Sequence, residues 1–555
     1  VNTHQDADNA NNKQTSDEGM KDLRDVYLAK HAQGLVHLIE SAQTTTFPPE
    51  QDPSVNESDA EITKIQVPGD GQTLGKFCAE MAPVLKTAGF FARDTSIVVP
   101  GSVVGITAES RLVEVTANML RAMSDDFAHL IRKKKSKDGD IEVRVSLDSD
   151  TSRVVIEAPQ VLSALPRIDF LHPAPLPWIA PTGELGLLTE GYNAQIKALV
   201  ENRVRFRTDL PFPLAKGMLE SLLCDFQFLD ARSRAAAIAA ILTPICRHLL
   251  PEGSLMPGIV IDAQAAGSGK STLAELIGLL YGKVGVQSAP SREDDWPKVL
   301  VTQVRMGKPV IIFDNIDRHL ESEALAMYLS SNYYSGRLLL QNREITGRSS
   351  AVVVFTGNNM TFNRDLARRL IVVELHCETL RAEDRRFSRQ LDSAVLEKYR
   401  SNLLACAWSL VKAWDKAGRP RCSSTNASFP AWCERIGGIV EHAGFGDPAQ
   451  RPQRDDRGDV DTANFERLAA NMLPDHQHAF GDIMTICATQ GLFGRFIDDV
   501  DDRGDLTKSA NSAFGKLLKS FGGRIIPGLG RFVVTGESRK RRYCIQETTI
   551  QSTEN

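Results

Sequence analysis

No C-x-x-C pair occurs in this sequence; its nine cysteines stand apart at 78, 224, 246, 377, 406, 422, 433, 487 and 544. Their scatter speaks against a zinc cluster and a disulfide framework and makes a reducing cytosol the simplest home. Long hydrophobic runs are missing too. The most apolar stretch, Ala235 to Cys246, is broken by Thr243 and Pro244 and falls far short of the ~20 residues a membrane helix needs. The first residues, VNTHQDADNANNKQTSDEG, have neither the basic start nor the apolar core of a signal peptide. Positive charge is not in excess: the formal net charge is −5. That argues against a uniformly basic coat protein and leaves local basic patches open. These absences describe a soluble, cytoplasmic protein with no membrane partner.

The 555 residues, 42% hydrophobic and 24% charged, allow about three or four domains with sizeable cores. Residues 1–70 read as a flexible polar leader with one helical candidate, Asp22 to Ala42. Residues 71–161 read as a small accessory α+β domain. Its expected helices are Leu74–Leu85 and Thr107–Lys134, and its strands Ile97–Val99, Ile141–Val145 and Arg153–Glu157. The run Arg132-Lys133-Lys134-Lys135-Ser136-Lys137 is either a phosphate-contacting patch or, by preference, a solvated helix end where cations suit the dipole. Residues 162–215 form a proline-rich connector whose turns suggest that it wraps the next domain.

The centre of the chain is PGIVIDAQAAGSGKSTLAELIGLLY, Pro257 to Tyr281. An apolar strand leads into Ala265-Ala266-Gly267-Ser268-Gly269, and Lys270-Ser271-Thr272 opens an amphipathic helix. This is the setting a phosphate-binding loop requires. Glycines let successive N–H groups turn toward phosphate oxygens, and the helix N-terminus adds its positive dipole end. Lys270 would reach the β- and γ-phosphates of ATP, and the Ser271 hydroxyl would ligate Mg²⁺. Gln264 stands where the first glycine of the motif is usual.

Further on, GKPVIIFDNID places Asp314 at the end of the apolar run Val310–Phe313. A carboxylate at the C-terminal end of a buried parallel strand faces the crevice where such sheets bind ligands. Asp314 therefore reads as the Walker B residue that holds Mg²⁺. Asn315 follows it, and an amide is no general base; Asp317 is the nearest further carboxylate. AVVVFTGNNM supplies a second apolar strand and Ile371–Leu375 a third. Asp384–Ala417 is expected as a helical pair that buries Leu391, Val395, Leu403, Leu404, Leu410 and Trp414 as a lid on the sheet.

Gly267-Ser-Gly-Lys-Ser-Thr272, Asp314-Asn315, and Val352-Val-Val-Phe-Thr-Gly-Asn-Asn359 leading into Asp365-Leu-Ala-Arg-Arg369 stand in order. As a set they resemble the AAA+/superfamily-three helicase ATPases of phages, plasmids and integrated mobile elements, over roughly residues 160–445. The resemblance implies an α/β fold: an additional-strand P-loop core at 216–400 with a parallel sheet, and a helical lid at 401–445. It implies that Asn358 is the sensor and that Arg368 or Arg369 is an arginine finger acting on a neighbouring subunit. The active site would then be complete only in a homo-oligomer such as a hexamer. Tyr333–Arg348 corresponds in position to a channel hairpin, with Arg337, Arg343 and Arg348 near single-stranded DNA. The segment is equally readable as a plain connection. No primase signature precedes the P-loop.

A polar linker at 446–462 is followed, over 463–555, by helical signals at Ala479–Gln490 and Lys508–Ser520 and three β-prone pieces. That is the outline of a winged helix. Its second helix, with Lys516 and Lys519, would lie in the major groove of duplex DNA, and Arg539, Lys540, Arg541 and Arg542 would touch phosphates from the wing. The sequence thus leads to an ATP- and Mg²⁺-dependent DNA helicase or translocase of a mobile element. The alternative is an ATP-gated DNA-binding or assembly protein with little hydrolysis.

Overall fold

The computed structural model describes residues 63–69, 71–105, 110–136, 139–263, 267–282, 284–316, 319–337, 344–376, 393–450, 460–497, 507–523, 525–526, 529–536 and 541–546. The helix expected at Asp22–Ala42 lies outside them. At the centre is a parallel sheet of five strands: β1 (Gly258–Ala263), β2 (Val286–Ser288), β3 (Val310–Ile316), β4 (Val352–Asn358) and β5 (Leu370–Leu375). Their spatial order is β2-β3-β4-β1-β5. Because side chains alternate across a strand, an apolar run can fill two cores at once. Ile259, Ile261, Ile312, Val354 and Val373 enter one core, while Val260, Ile311, Phe313, Val353 and Phe355 enter the other. This double burial explains why the strands read as continuous apolar runs.

The first core is closed by α1 (Ala231–Ile245), α2 (Lys270–Gly278) and α4 (Ser393–Lys416), the second by α3 (Trp296–Met306) and a helix at Glu323–Ser330. The helix α1 is apolar nearly all round and is buried accordingly. The Asp230 side chain starts it by accepting the Ser233 N–H at 2.7 Å. The expected helical pair at Asp384–Ala417 is, in its described part, the single helix α4, and Leu391 lies outside the described residues. Leu403, Leu404, Leu410 and Trp414 share a core with α1, β1 and the connector residues Ala174, Leu176 and Val200. The connector is thus packed into the central domain.

A buried contact fixes that packing. His172, on the connector strand Phe170–His172, lies 2.7 Å from His248, Nε2 to Nε2, and 3.1 Å from the Tyr281 hydroxyl. Burial, with the Arg247 charge second, lowers the His172 pKa to about 3. Burial also holds His248 well below the ordinary value, helped by His172 and Arg247. The unfolded chain protonates both near 6.5, so below that pH it binds more protons than the folded chain. Their contribution is therefore intact above about pH 6.5 and is lost progressively as the pH falls below it, while the folded pair stays neutral. Thermal melting is expected to fall steeply between pH 6.5 and 4.5. In His248→Gln that slope should be shallower by about one proton; an unchanged slope would exclude this pair as the cause.

The N-terminal domain departs from expectation in two places. The helix anticipated over Thr107–Lys134 spans only Ala117–Phe127, and residues 129–136 form a strand. Thr116 caps that helix by accepting the Met119 N–H, 3.2 Å away. The lysines beyond it pair with Gly139–Arg144, so strand pairing overrides their helix propensity. The strand expected at Arg153–Glu157 is instead part of a helix, Ser149–Glu157. The Asp148 carboxylate caps it through the Thr151 N–H (2.8 Å), and Ser152 and Val155 are buried one turn apart. Capping and packing outweigh the β-prone Val-Val-Ile run. The domain is tied to α3 by Arg305, whose Nη2 lies 2.6 Å from Glu114.

The C-terminal unit has its own core of Phe465, Leu468, Ile483, Phe514, Leu518, Phe532 and Tyr543. Its main helices are α5 (Val460–Ala470), α6 (Phe480–Gln490) and α7 (Lys508–Ser520). Four short antiparallel strands pack with them, in the order His478–Ala479, Arg542–Gln546, Gly530–Thr535, Ile525–Ile526. Of the expected linker, residues 446–450 pack on the central domain and α5 begins at Val460.

Candidate nucleotide site

The site forms where β1, β3 and β4 end. Gln264, Ala265 and Ala266 lie outside the described residues. The described loop opens with Gly267 and passes Ser268 to Gly269, which sits at φ +93° as the residue before α2. That left-handed turn favours glycine. It points Lys270 back across the strand ends, while Thr272 lies half-buried in the first turn of the helix. The N-terminus of α2 has no side-chain cap, so its positive dipole end faces the loop.

Residues far apart in sequence converge here. Lys270 Nζ donates to Asn358 Oδ1 at 2.8 Å and to Ser268 Oγ at 3.2 Å. Burial lowers the pKa of Lys270, and the charges of Asp262 and Asp314 oppose that shift. The Ser271 hydroxyl lies 3.4 Å from Asp314 Oδ1. Adjacent ligands of an octahedral Mg²⁺ with bonds of 2.0–2.1 Å stand about 2.9 Å apart. These two oxygens therefore fit neighbouring positions on such an ion after a small adjustment. Magnesium takes its other ligands from phosphates and water. Asp314 and Ser271 are the residues that would hold it.

Two further residues shape the site and were not singled out by sequence reasoning. Asp262, 1% exposed, accepts the Met360 N–H at 3.1 Å, pinning the turn after Asn358. Thr356 is buried on β4; its hydroxyl donates to Asp314 Oδ1 and accepts the Asn315 N–H (3.1 Å). The signal was there: each is a polar residue following an apolar run within a buried strand.

Asn315 also acquires a physical reason. The register between β3 and β4 shifts after Phe313, and Asn315 lies at φ +58° in that bulge. Asparagine tolerates this conformation, whereas an ordinary residue such as glutamate pays about 1–2 kcal/mol. Gly357 immediately precedes Asn358. A Cβ there would stand 2.2 Å from the Ile316 carbonyl oxygen and 2.5 Å from Met360. Gly357→Ala is therefore expected to cost about 2–3 kcal/mol and to displace Asn358. A lower chemical-denaturation midpoint together with weaker ATP binding would record both effects.

The remaining site candidates fall elsewhere. Arg368 and Arg369 precede β5, and the Arg369 carbonyl accepts the Gly258 N–H at 3.0 Å, at the start of β1. They lie at the edge of the sheet opposite the loop. Tyr333–Arg337 and Glu344–Arg348 form a hairpin, with Arg337 exposed and Arg343 outside the described residues. Arg348, a candidate nucleic-acid contact, is ion-paired within the chain. It lies 2.8 Å from Glu252 and 3.7 Å from Asp169, with a side chain only 17% exposed. Lys516 and Lys519 are exposed on α7. Arg541 donates to the Gly515 carbonyl on that helix (3.2 Å), and Arg542 to the carbonyl of Arg541 (3.2 Å). Arg539 and Lys540 lie outside the described residues. No helix among the described residues is long and apolar enough to cross a membrane.

No family model matches the chain, and no curated protein does. Among solved structures, it is similar to the A form apo structure of the NrS-1 C-terminal region at 10% identity and a TM-score of 0.35, over 84% of this chain and 99% of that one. The SCCmec type IV Cch active helicase matches at 11% identity and a TM-score of 0.30, over 79% of this chain and 88% of that one. JCV helicase matches at 17% identity and a TM-score of 0.20, over 46% of this chain and 69% of that one. TM-scores this low establish neither a shared fold nor a shared activity.

Proposed function

We infer that this chain is an ATPase of the additional-strand P-loop kind that works on DNA as an oligomer, most simply a helicase or translocase of a mobile element. One observation carries the reading. Lys270, Ser271, Asp314 and Asn358 converge at the C-terminal ends of three parallel strands, where sheets of this kind bind ligands. The strand bearing Asn358 stands between those leading to Lys270 and Asp314, as an additional-strand core requires. Lys270 would hold the β- and γ-phosphates, and Ser271 and Asp314 the Mg²⁺ that neutralises them. Asn358, now bonded to Lys270, would turn to the γ-phosphate or the water. DNA would lie along the Arg337 hairpin and on α7.

A second reading, nucleotide-gated DNA binding or assembly with minimal turnover, is favoured by Asn315 beside Asp314, where a general base would stand. ATP hydrolysis measured with and without DNA, against a Lys270→Ala background, separates the two. DNA-stimulated turnover above that background supports the motor; its absence, with ATP binding retained, supports the gate.

A further inference from the structure

The strand His129–Ser136 is paired on one side with Lys64–Gln66 only as far as Ile131, and on the other with Gly139–Arg144 along residues 131–136. Beyond Ile131, among the described residues, the N-terminal domain therefore continues as a two-stranded ribbon about 16 Å long, at ~3.3 Å per residue. Arg132, Lys133, Lys134 and Lys135 are all exposed on it. The helix-end explanation for this basic run is gone, because there is no helix end.

Alternation divides the cations between two faces. Lys133 is in register with Glu142, which also pairs with Lys64 at 3.7 Å, and Lys135 with Asp140. The exposed carboxylate Glu142 thus stands in register on that face. The other face starts from Leu130, fully buried in the domain core, and continues outward with Arg132 opposite Val143 and Lys134 opposite Ile141. No carboxylate is registered against either cation, and Ile141 is 53% exposed. Two exposed cations with apolar residues in register offer charge for phosphates and a surface for sugars or base edges. The major groove of B-DNA, about 12 Å wide, admits a two-stranded ribbon.

We propose that the Arg132/Lys134 face of this ribbon is a duplex-DNA contact of the N-terminal domain, separate from the hairpin and from α7. The contact needs no nucleotide, so its test is independent of the ATPase reading. Binding of the full chain to a fluorescent duplex, without ATP, is measured from 50 to 200 mM salt. Arg132→Ala/Lys134→Ala should flatten the salt dependence by about 1.8 in log–log slope. The wild type would then lose about twelvefold more affinity than the variant over that range. Lys133→Ala/Lys135→Ala should change the slope by less than half as much. An unchanged slope in the first variant, with an unchanged melting temperature, would overturn the proposal. Equal effects of the two variants would overturn the assignment of the face. Loss of binding to an acidic peptide with DNA binding intact would make the partner a protein and also overturn it.

Discussion

Lys270→Ala is expected to lower ATP turnover by about two to three orders of magnitude, the range seen when one positioned electrostatic donor is removed. The expectation rests on where Nζ is held. Asn358 and Ser268 fix it above the ends of β1 and β4, at the N-terminus of α2. Burial disfavours its charge, and Asp262 and Asp314 restore part of the balance. A cation kept half-desolvated between two carboxylates interacts strongly with any phosphate that enters. Removing it would leave Asp262 and Asp314 without that countercharge. Lys270→Ala should therefore weaken ATP binding as well as turnover. Lys270→Arg keeps the charge but brings a wider, planar group into a space bounded by Asn358 and Ser268, so little rescue is expected. Phosphate release and binding of a fluorescent nucleotide, measured on the same variants, check both parts. Wild-type release no faster than that of Lys270→Ala, with or without DNA, would sink the motor reading.

Much of this site could be read from the sequence because the signals were local. A loop with glycines before Lys270 needs only its neighbouring strand and helix, and the apolar runs of β3 and β4 announce strands buried on both faces. The bond between Lys270 and Asn358 joins residues 88 apart in sequence, and no spacing rule supplies it. The left-handed Asn315 follows from a bulge in the β3–β4 register, which depends on both strands at once. The N-terminal domain misled for the same reason. Lys133–Lys135 suit a helix end taken alone, but their partner strand decides. The ion pairs of Arg348 with Glu252 and Asp169 likewise join residues about 100 and 180 apart in sequence, beyond any local pattern.

Arg368→Ala is expected to lower turnover by three orders of magnitude or more, the range for arginine fingers, while leaving ATP affinity nearly unchanged. The two candidate arginines are chemically alike but differently placed. Arg369 is 12% exposed, lies 2.5 Å from Asp365 and also bonds Ser330. Arg368 is 58% exposed and pairs with the same carboxylate, at 2.7 Å. Burial alone would raise the pKa of Asp365, but the hydrogen bonds from Arg369 and Arg368 prevail and hold it below the ordinary value. Asp365 would keep Arg369 if Arg368 swung away. Breaking an exposed ion pair costs about 0–1 kcal/mol, small beside the roughly 4 kcal/mol that a thousandfold rate effect represents. Neither arginine can serve its own nucleotide. They lie at the start of β1, and the loop at its other end is about 20 Å away, six residues at ~3.3 Å each. A finger role for Arg368 therefore requires a second subunit. Mixing Arg368→Ala with Lys270→Ala chains should restore part of the activity, because some interfaces then pair an intact Lys270 with an intact Arg368. Arg369→Ala should first lower thermal stability. No recovery in the mixture, or full activity of Arg368→Ala alone, would exclude a site shared between subunits through this residue.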